Sequence, residues 1–269
     1  MMRTIKRISQ FFILNVRLTF DTLFTYKAAT ILTFCTNIFI VLIYLFLWKG
    51  IYGEQTIVNG YTLKELLLFI ILLRVLRRSY PFHISKTYGQ LIKNGSIATW
   101  LLKPIPIELR LLSQAIGQTI YQFCFSGLPM LLLVPLFANI PNFTFVSAAL
   151  FLLWYISAFI FLYIFEIIIG VISYYTTSLW GVGNFKSALI AFFTGELLPL
   201  SFYPVALLGF LEVLPFSAVY YLPISILLSK VVENAWIIFS ILWLSIILLL
   251  GLYLSISQKM IKRISVQGG

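Results

Sequence analysis

Long apolar runs, separated by short breaks rich in proline, glycine and basic residues, set the pattern of this chain. A helix that crosses a membrane needs about 20 apolar residues. Ala28–Trp48 meets that length without a charge. Three further runs follow, at about Leu109–Phe137, about Phe143–Val171, interrupted only by Glu166, and about Ala235–Ser255. Two runs are shorter. One begins near Tyr61 and meets Arg74, Arg77 and Arg78, so Arg74 either snorkels from the helix end or faces protein. The other starts near Ser187 and turns irregular at Pro199 and Pro204. The pattern predicts an all-α polytopic membrane protein with six transmembrane helices, spread over about 28–257.

Residues 1–27 show a different period. Ile5, Ile8, Phe12, Val16, Phe20 and Leu23 recur every three or four positions, with Arg3, Lys6, Arg7, Gln10, Arg17 and Asp21 opposite and Leu14 intruding on the polar side. This is an amphipathic helix lying in the membrane interface, not a cleaved leader. Before the last span, Gly195–Pro223 is apolar but broken by Pro199, Pro204, Pro215 and Pro223. A straight helix does not tolerate that density of prolines. The segment predicts an external re-entrant hairpin, packed on protein or lining a water-filled cavity.

Composition agrees: the 269 residues are 61% hydrophobic and only 10% charged, against about 25% charged in soluble globules. The net charge of +11 is placed for a membrane, not for nucleic acid. Sixteen of the 19 Lys and Arg fall in the N-terminal arm, the loop after span two, the loop after span four (Lys186) and a tail over 258–269. Lys49, Lys64 and Lys230 are left on the other side. Basic residues mark the cytoplasmic loops, so both termini are expected inside, beside anionic lipid.

The loop over 86–106, "KTYGQLIKNGSIATWLLKPIP", predicts a short helix stopped at Asn94-Gly95. A second short helix follows, capped by Ser96 and ended by Pro104 and Pro106. The apolar Trp100, Leu101 and Leu102 suit a docked knob. Within span three, Gln114, Gln118 and Gln122 share one helical face, with Ser113 and Gly117 beside them. That face meets either neighbouring helices, as hydrogen-bond glue, or a translocation path. Glu166 is protonated, paired or beside a cavity, and no arginine of its own span can pair with it. Cys35 and Cys124 lie in apolar runs without CxxC spacing and read as small core hydrophobes; the single His83 reads as a loop or interfacial residue.

"IKNGSIATWLLKP" is similar to the I-x-x-G-x-[hydrophobic]-x-x-x-L-[LR]-x-P pattern of a prokaryotic branch of the type-2 ATP-binding-cassette (ABC-2) exporter permeases. "GELLPLSFYP", followed by "LPF" and "YLP", resembles that branch's G-x-x-[LI]-P-[LI]-x-x-[FY]-P and later proline signatures, except that Glu196 stands where a small or apolar residue is expected. The likeness covers essentially the whole chain, interfacial helix and six spans included. It implies that the loop after span two carries a coupling helix seated in an ATPase subunit, with Gln90, Leu91, Lys93, Asn94 and Gly95 in contact. It also implies two ATPase copies and a second permease subunit, identical or homologous, in a prokaryotic cytoplasmic membrane. No Walker pattern and no LSGGQ-like segment occur, so this chain is expected to bind no cofactor and to be no enzyme, with ATP and Mg on the partner. The path is expected at Gln114, Gln118, Gln122 and Glu166, and the re-entrant region at Glu196, Pro199 and Pro204.

Two other functions fit a polytopic chain less well. A membrane-embedded enzyme needs clustered acids or a His–acid pair, yet there is one aspartate, Asp21, and no D-x-x-D. An ion-coupled carrier would use Glu166 as its proton site, and would be expected to show two corresponding broken regions rather than one. The cargo is not legible beyond a mild preference for hydrophobic or amphipathic molecules.

Overall fold

In the computed structural model the chain is a bundle of helices with one two-stranded hairpin. The structure describes residues 2–138, 144–176, 178–230 and 234–267, with side chains between 8 and 260. Helix α1 (Met2–Thr25) is followed after one residue by α2 (Lys27–Tyr52). The strands β1 (Ile57–Val58) and β2 (Tyr61–Thr62) pair antiparallel, Val58 facing Tyr61, and lead into α3 (Leu63–Ser79). Two short helices come next, α4 (Ile84–Lys93) and α5 (Ile97–Leu101). A long bent rod then joins α6 (Ile107–Gln122), a π-helical turn at Phe123–Gly127, α7 (Leu128–Leu132) and α8 (Val134–Phe137). Helix α9 (Phe145–Ile172) and α10 (Leu179–Phe193) follow. Then come α11 (Val205–Val213), α12 (Tyr221–Leu227) and the terminal α13 (Ala235–Gln267).

Among the described residues, four helical stretches are long and apolar enough to cross a membrane: Lys27–Tyr52, Ile107–Phe137, Phe145–Tyr175 and Ala235–Met260. These match the four long runs of the sequence; the expected start at Phe143 lies outside the described residues. The six-span expectation is met only in part. Helix α3 has 17 residues and α10 has 15, so at 1.5 Å per residue they reach about 25 and 22 Å, short of a hydrocarbon core of about 30 Å.

Helix α3 lies at the centre. Its capping box joins Thr62 and Glu65, and it buries eleven residues, from Leu66 to Ser79, among α2, α6, α9 and α12. A helix apolar on every side belongs inside protein. Helix α1 lies along α6. A Cβ on Gly117 would stand 2.7 Å from the Val16 carbonyl oxygen, so glycine there lets the two backbones touch. Phe20 stacks edge-on against Tyr121, and Asn15 donates to the Arg110 carbonyl at 3.1 Å. The expected apolar residues Ile8, Phe12, Val16, Phe20 and Leu23 are all partly buried. Ile13, Leu18 and the intruding Leu14 are left exposed.

The proline-rich stretch is broken, as its composition demands. Pro199 precedes a 3-10 turn at Leu200–Phe202, Pro204 precedes α11, Pro215 starts a 3-10 turn at Pro215–Ala218, and Pro223 lies in the first turn of α12. Each proline sits where its missing N–H would have no helical partner. Cys35 and Cys124, expected in the core, are both exposed.

Candidate functional site

The loop after α3 forms an ordered knob. Helix α4 is amphipathic: Ile84, Ser85, Tyr88, Gly89 and Ile92 are buried against the bundle. Lys86, Gln90, Lys93, Asn94 and Gly95 point outward, and Leu91 is half-buried. The helix stops at Asn94, and Gly95 takes φ +70°, a left-handed conformation that favours glycine. Among the described residues nothing lies within 4 Å of where its Cβ would stand, so the tip is open. Ser96 does not cap α5 as expected. It has helical backbone angles and makes no side-chain cap bond; Thr99 instead donates to its carbonyl at 2.8 Å. Trp100 docks on the chain itself, with the Arg110 guanidinium 3.6 Å from its ring centroid. Leu101 and Leu102 are exposed.

The expected path residues do not form one lining. Gln114 and Gln118 share a polar groove of about 300 Å³ with Asn15, Thr19, Thr22, His83 and Thr87. It lies between α1, α6 and the start of α4. Gln122 stands apart at the end of α6, just before the π turn, with its buried Oε1 unbonded. Burial, then the nearby Lys186 ammonium, pushes His83 down to about 4, so the imidazole in this groove is neutral near pH 7.

Glu166 is in neither place. Its Oε1 meets Lys186 Nζ of α10 at 2.6 Å, and its Oε2 accepts from the Ser85 backbone N–H of α4 at 2.9 Å. Lys186 also donates to Ser85 Oγ at 2.8 Å and to the Phe82 carbonyl at 2.9 Å. Lys186 is therefore a buried partner, not a solvated loop cation, and the absence of an arginine in span four did not matter. One signal could have found it: Lys186 is the single charge in the apolar run Leu179–Phe193, as Glu166 is in its own. Beside this pair, α4, α9 and α10 enclose a cavity of about 410 Å³ with Lys86, Gln90, Trp180 and Asn184 on its walls.

Glu196 is paired too. It forms an ion pair with Arg77 of α3, and Arg74 lies over the Tyr44 ring at 5.8 Å. These arginines belong to the interior end of α3 rather than to a free loop. Pro199 and Pro204 serve as helix starts. At the opposite end of α3, Lys230 reaches Glu65 at 3.0 Å and the Gly60 carbonyl at 2.8 Å.

A family model described as "ABC-2 family transporter protein" matches residues 38–268. The chain belongs to the ABC-2 transporter family. No curated protein and no solved structure matches it. Membership makes this ABC-2 chain a multi-pass membrane protein and a transport permease, in keeping with its four long apolar helices.

Proposed function

We propose that this ABC-2 chain is the permease half of an ATP-driven exporter and that α4 is its coupling helix. The reading rests on one observation. A basic, amphipathic helix with a glycine-locked stop is held on the bundle by one face and leaves Gln90, Lys93, Asn94 and Gly95 open. A separate ATPase binds that tip in two copies, one per permease, and supplies ATP and Mg. A second permease, identical or homologous, completes the path. ATP-driven closure of the ATPases pushes α4 and switches the path between inward and outward access. The broken segment 195–223 is the external re-entrant region, α3 and α10 complete six spans with help from flanking turns, and both termini face the cytoplasm of a prokaryote. The groove at Gln114 and Gln118 receives the polar part of a hydrophobic or amphipathic cargo.

Gly95 tests this. Gly95→Ala adds about 1 kcal/mol of backbone strain and no steric conflict, and should leave a co-purifying ATPase bound. Gly95→Trp adds bulk at the tip and should release the ATPase or uncouple its hydrolysis from transport. An ATPase that binds and works equally with both variants would overturn the assignment of α4. The carrier reading has no observation in its favour: both carboxylate oxygens of Glu166 are already engaged.

A further inference from the structure

The anchored end of α4 is as specialised as its tip. Glu166 and Lys186 have side chains 0% and 6% exposed, so the pair is buried, at the wall of the cavity of about 410 Å³. Such a pair survives only when bonded further. Both partners find those bonds in the first turn of α4, at Ser85, and just before it, at Phe82. A carboxylate there meets the unpaired N–H groups and the positive end of the helix dipole. It acts as the cap that His83, the residue before α4, does not provide.

Close packing continues along the helix. A Cβ on Gly170 of α9 would stand 2.8 Å from Tyr88 Cβ. A Cβ on Gly89 of α4 would stand 2.6 Å from side-chain atoms of both Ser173 and Leu179. At Gly170 the close atom is Tyr88 Cβ, which is fixed to the backbone, so a side chain there would part the helices; at Gly89 the ends of Ser173 and Leu179 would have to turn aside. The four-residue link to α3, Tyr80–His83, is packed as well: Tyr80 is buried and stacked on Tyr155 of α9, and the Phe82 carbonyl accepts from Lys186.

We propose that the Glu166–Lys186 pair is a positioning joint that makes α4 move as one body with α9 and α10. A push on the Asn94–Gly95 tip then displaces those two helices against α2. Swinging α4 alone would part the buried pair from its bonds at Ser85 and Phe82, and rigid-body motion avoids that cost. This inference rests on α4 being the ATPase contact.

The test uses the full chain with its ATPase in lipid nanodiscs, in a C35S/C124S background. Spin labels are placed at Lys93 and Phe185 in one sample, and at Lys93 and Leu32 in another; Phe185 and Leu32 are 68% and 71% exposed. Pulsed EPR distances are compared without nucleotide and with ATP and vanadate. In the unaltered chain the Lys93–Leu32 distance should shift by several Å while the Lys93–Phe185 distance holds. The neutral double variant E166Q/K186M keeps the shape of the site and should let the Lys93–Phe185 distance shift. K186R should restore its constancy, which a purely structural loss would not. A Lys93–Phe185 shift in the unaltered chain, or constancy in E166Q/K186M, overturns the joint and leaves α4 as the ATPase contact. Nucleotide-insensitive distances with the ATPase bound overturn the coupling reading and the joint together.

Discussion

Helices α2 and α3 are neighbours that hydropathy ranks in the wrong order of burial. Helix α2 has 26 residues with no charge between Lys27 and Lys49, yet Ile31, Leu32, Phe39, Ile43 and Phe46 are all exposed. Helix α3 is shorter and carries Lys64, Glu65, Arg74, Arg77 and Arg78, yet it forms the centre of the bundle. Apolarity measures fitness for lipid. The interior of a membrane protein can be more polar than its rim, because protein supplies the partners that hydrocarbon cannot. The same holds for α10, whose one lysine is more deeply buried than most of its apolar residues.

The contrast can be pressed hardest at the interior charges. K186M leaves Glu166 buried and unpaired and should cost about 3–5 kcal/mol in an SDS-titration unfolding assay in mixed micelles. E166Q/K186M should recover most of that loss. A loss below 1 kcal/mol for K186M would mean that the site is wet. Next comes packing. Ile71→Ala in α3 should cost about 2 kcal/mol, chiefly the cavity it opens, because lipid removes most of the transfer cost. Phe39→Ala in α2 should lie within about 0.5 kcal/mol of the unaltered chain in the same assay. Equal costs at both positions would erase the distinction between rim and interior.

His83 gives a smaller, pH-dependent effect. Its folded value of about 4 lies below the ordinary 6.5, so the unfolded chain binds the extra proton between them. Stability should be flat in this respect above about pH 7 and should fall as pH drops from 6.5 toward 4, by at most about 1.4 kcal/mol per pH unit. Substituting glutamine for His83 should flatten that limb, and an unchanged profile would remove the histidine from the account. A small effect belongs to the Lys230–Glu65 pair, whose side chains are 29% and 36% exposed. K230M should cost no more than about 1 kcal/mol, and less as salt is raised.

Much of the molecule was legible in the sequence. The four long apolar runs became helices because continuous hydrocarbon-compatible sequence leaves no other way to satisfy the backbone. The stop at Asn94-Gly95 and the breaks at Pro199, Pro204 and Pro215 were also legible, since glycine takes the left-handed conformation without strain and proline fixes its own φ. Contacts between distant segments were not. The sequence placed Glu166 with the glutamines of α6, whereas the fold ties it to Ser85 and Lys186, residues 81 and 20 positions away. It counted the arginines of α3 with the loop that follows and gave Arg77 no partner, whereas Arg77 pairs with Glu196. It expected both cysteines inside and laid α1 in the membrane interface, whereas α1 packs along α6. Local geometry is written in each residue's own restrictions and in the period of its neighbours. Which buried charge answers which, and which apolar face meets protein rather than lipid, depends on how helices far apart in the chain pack together, and only the tertiary structure decided that.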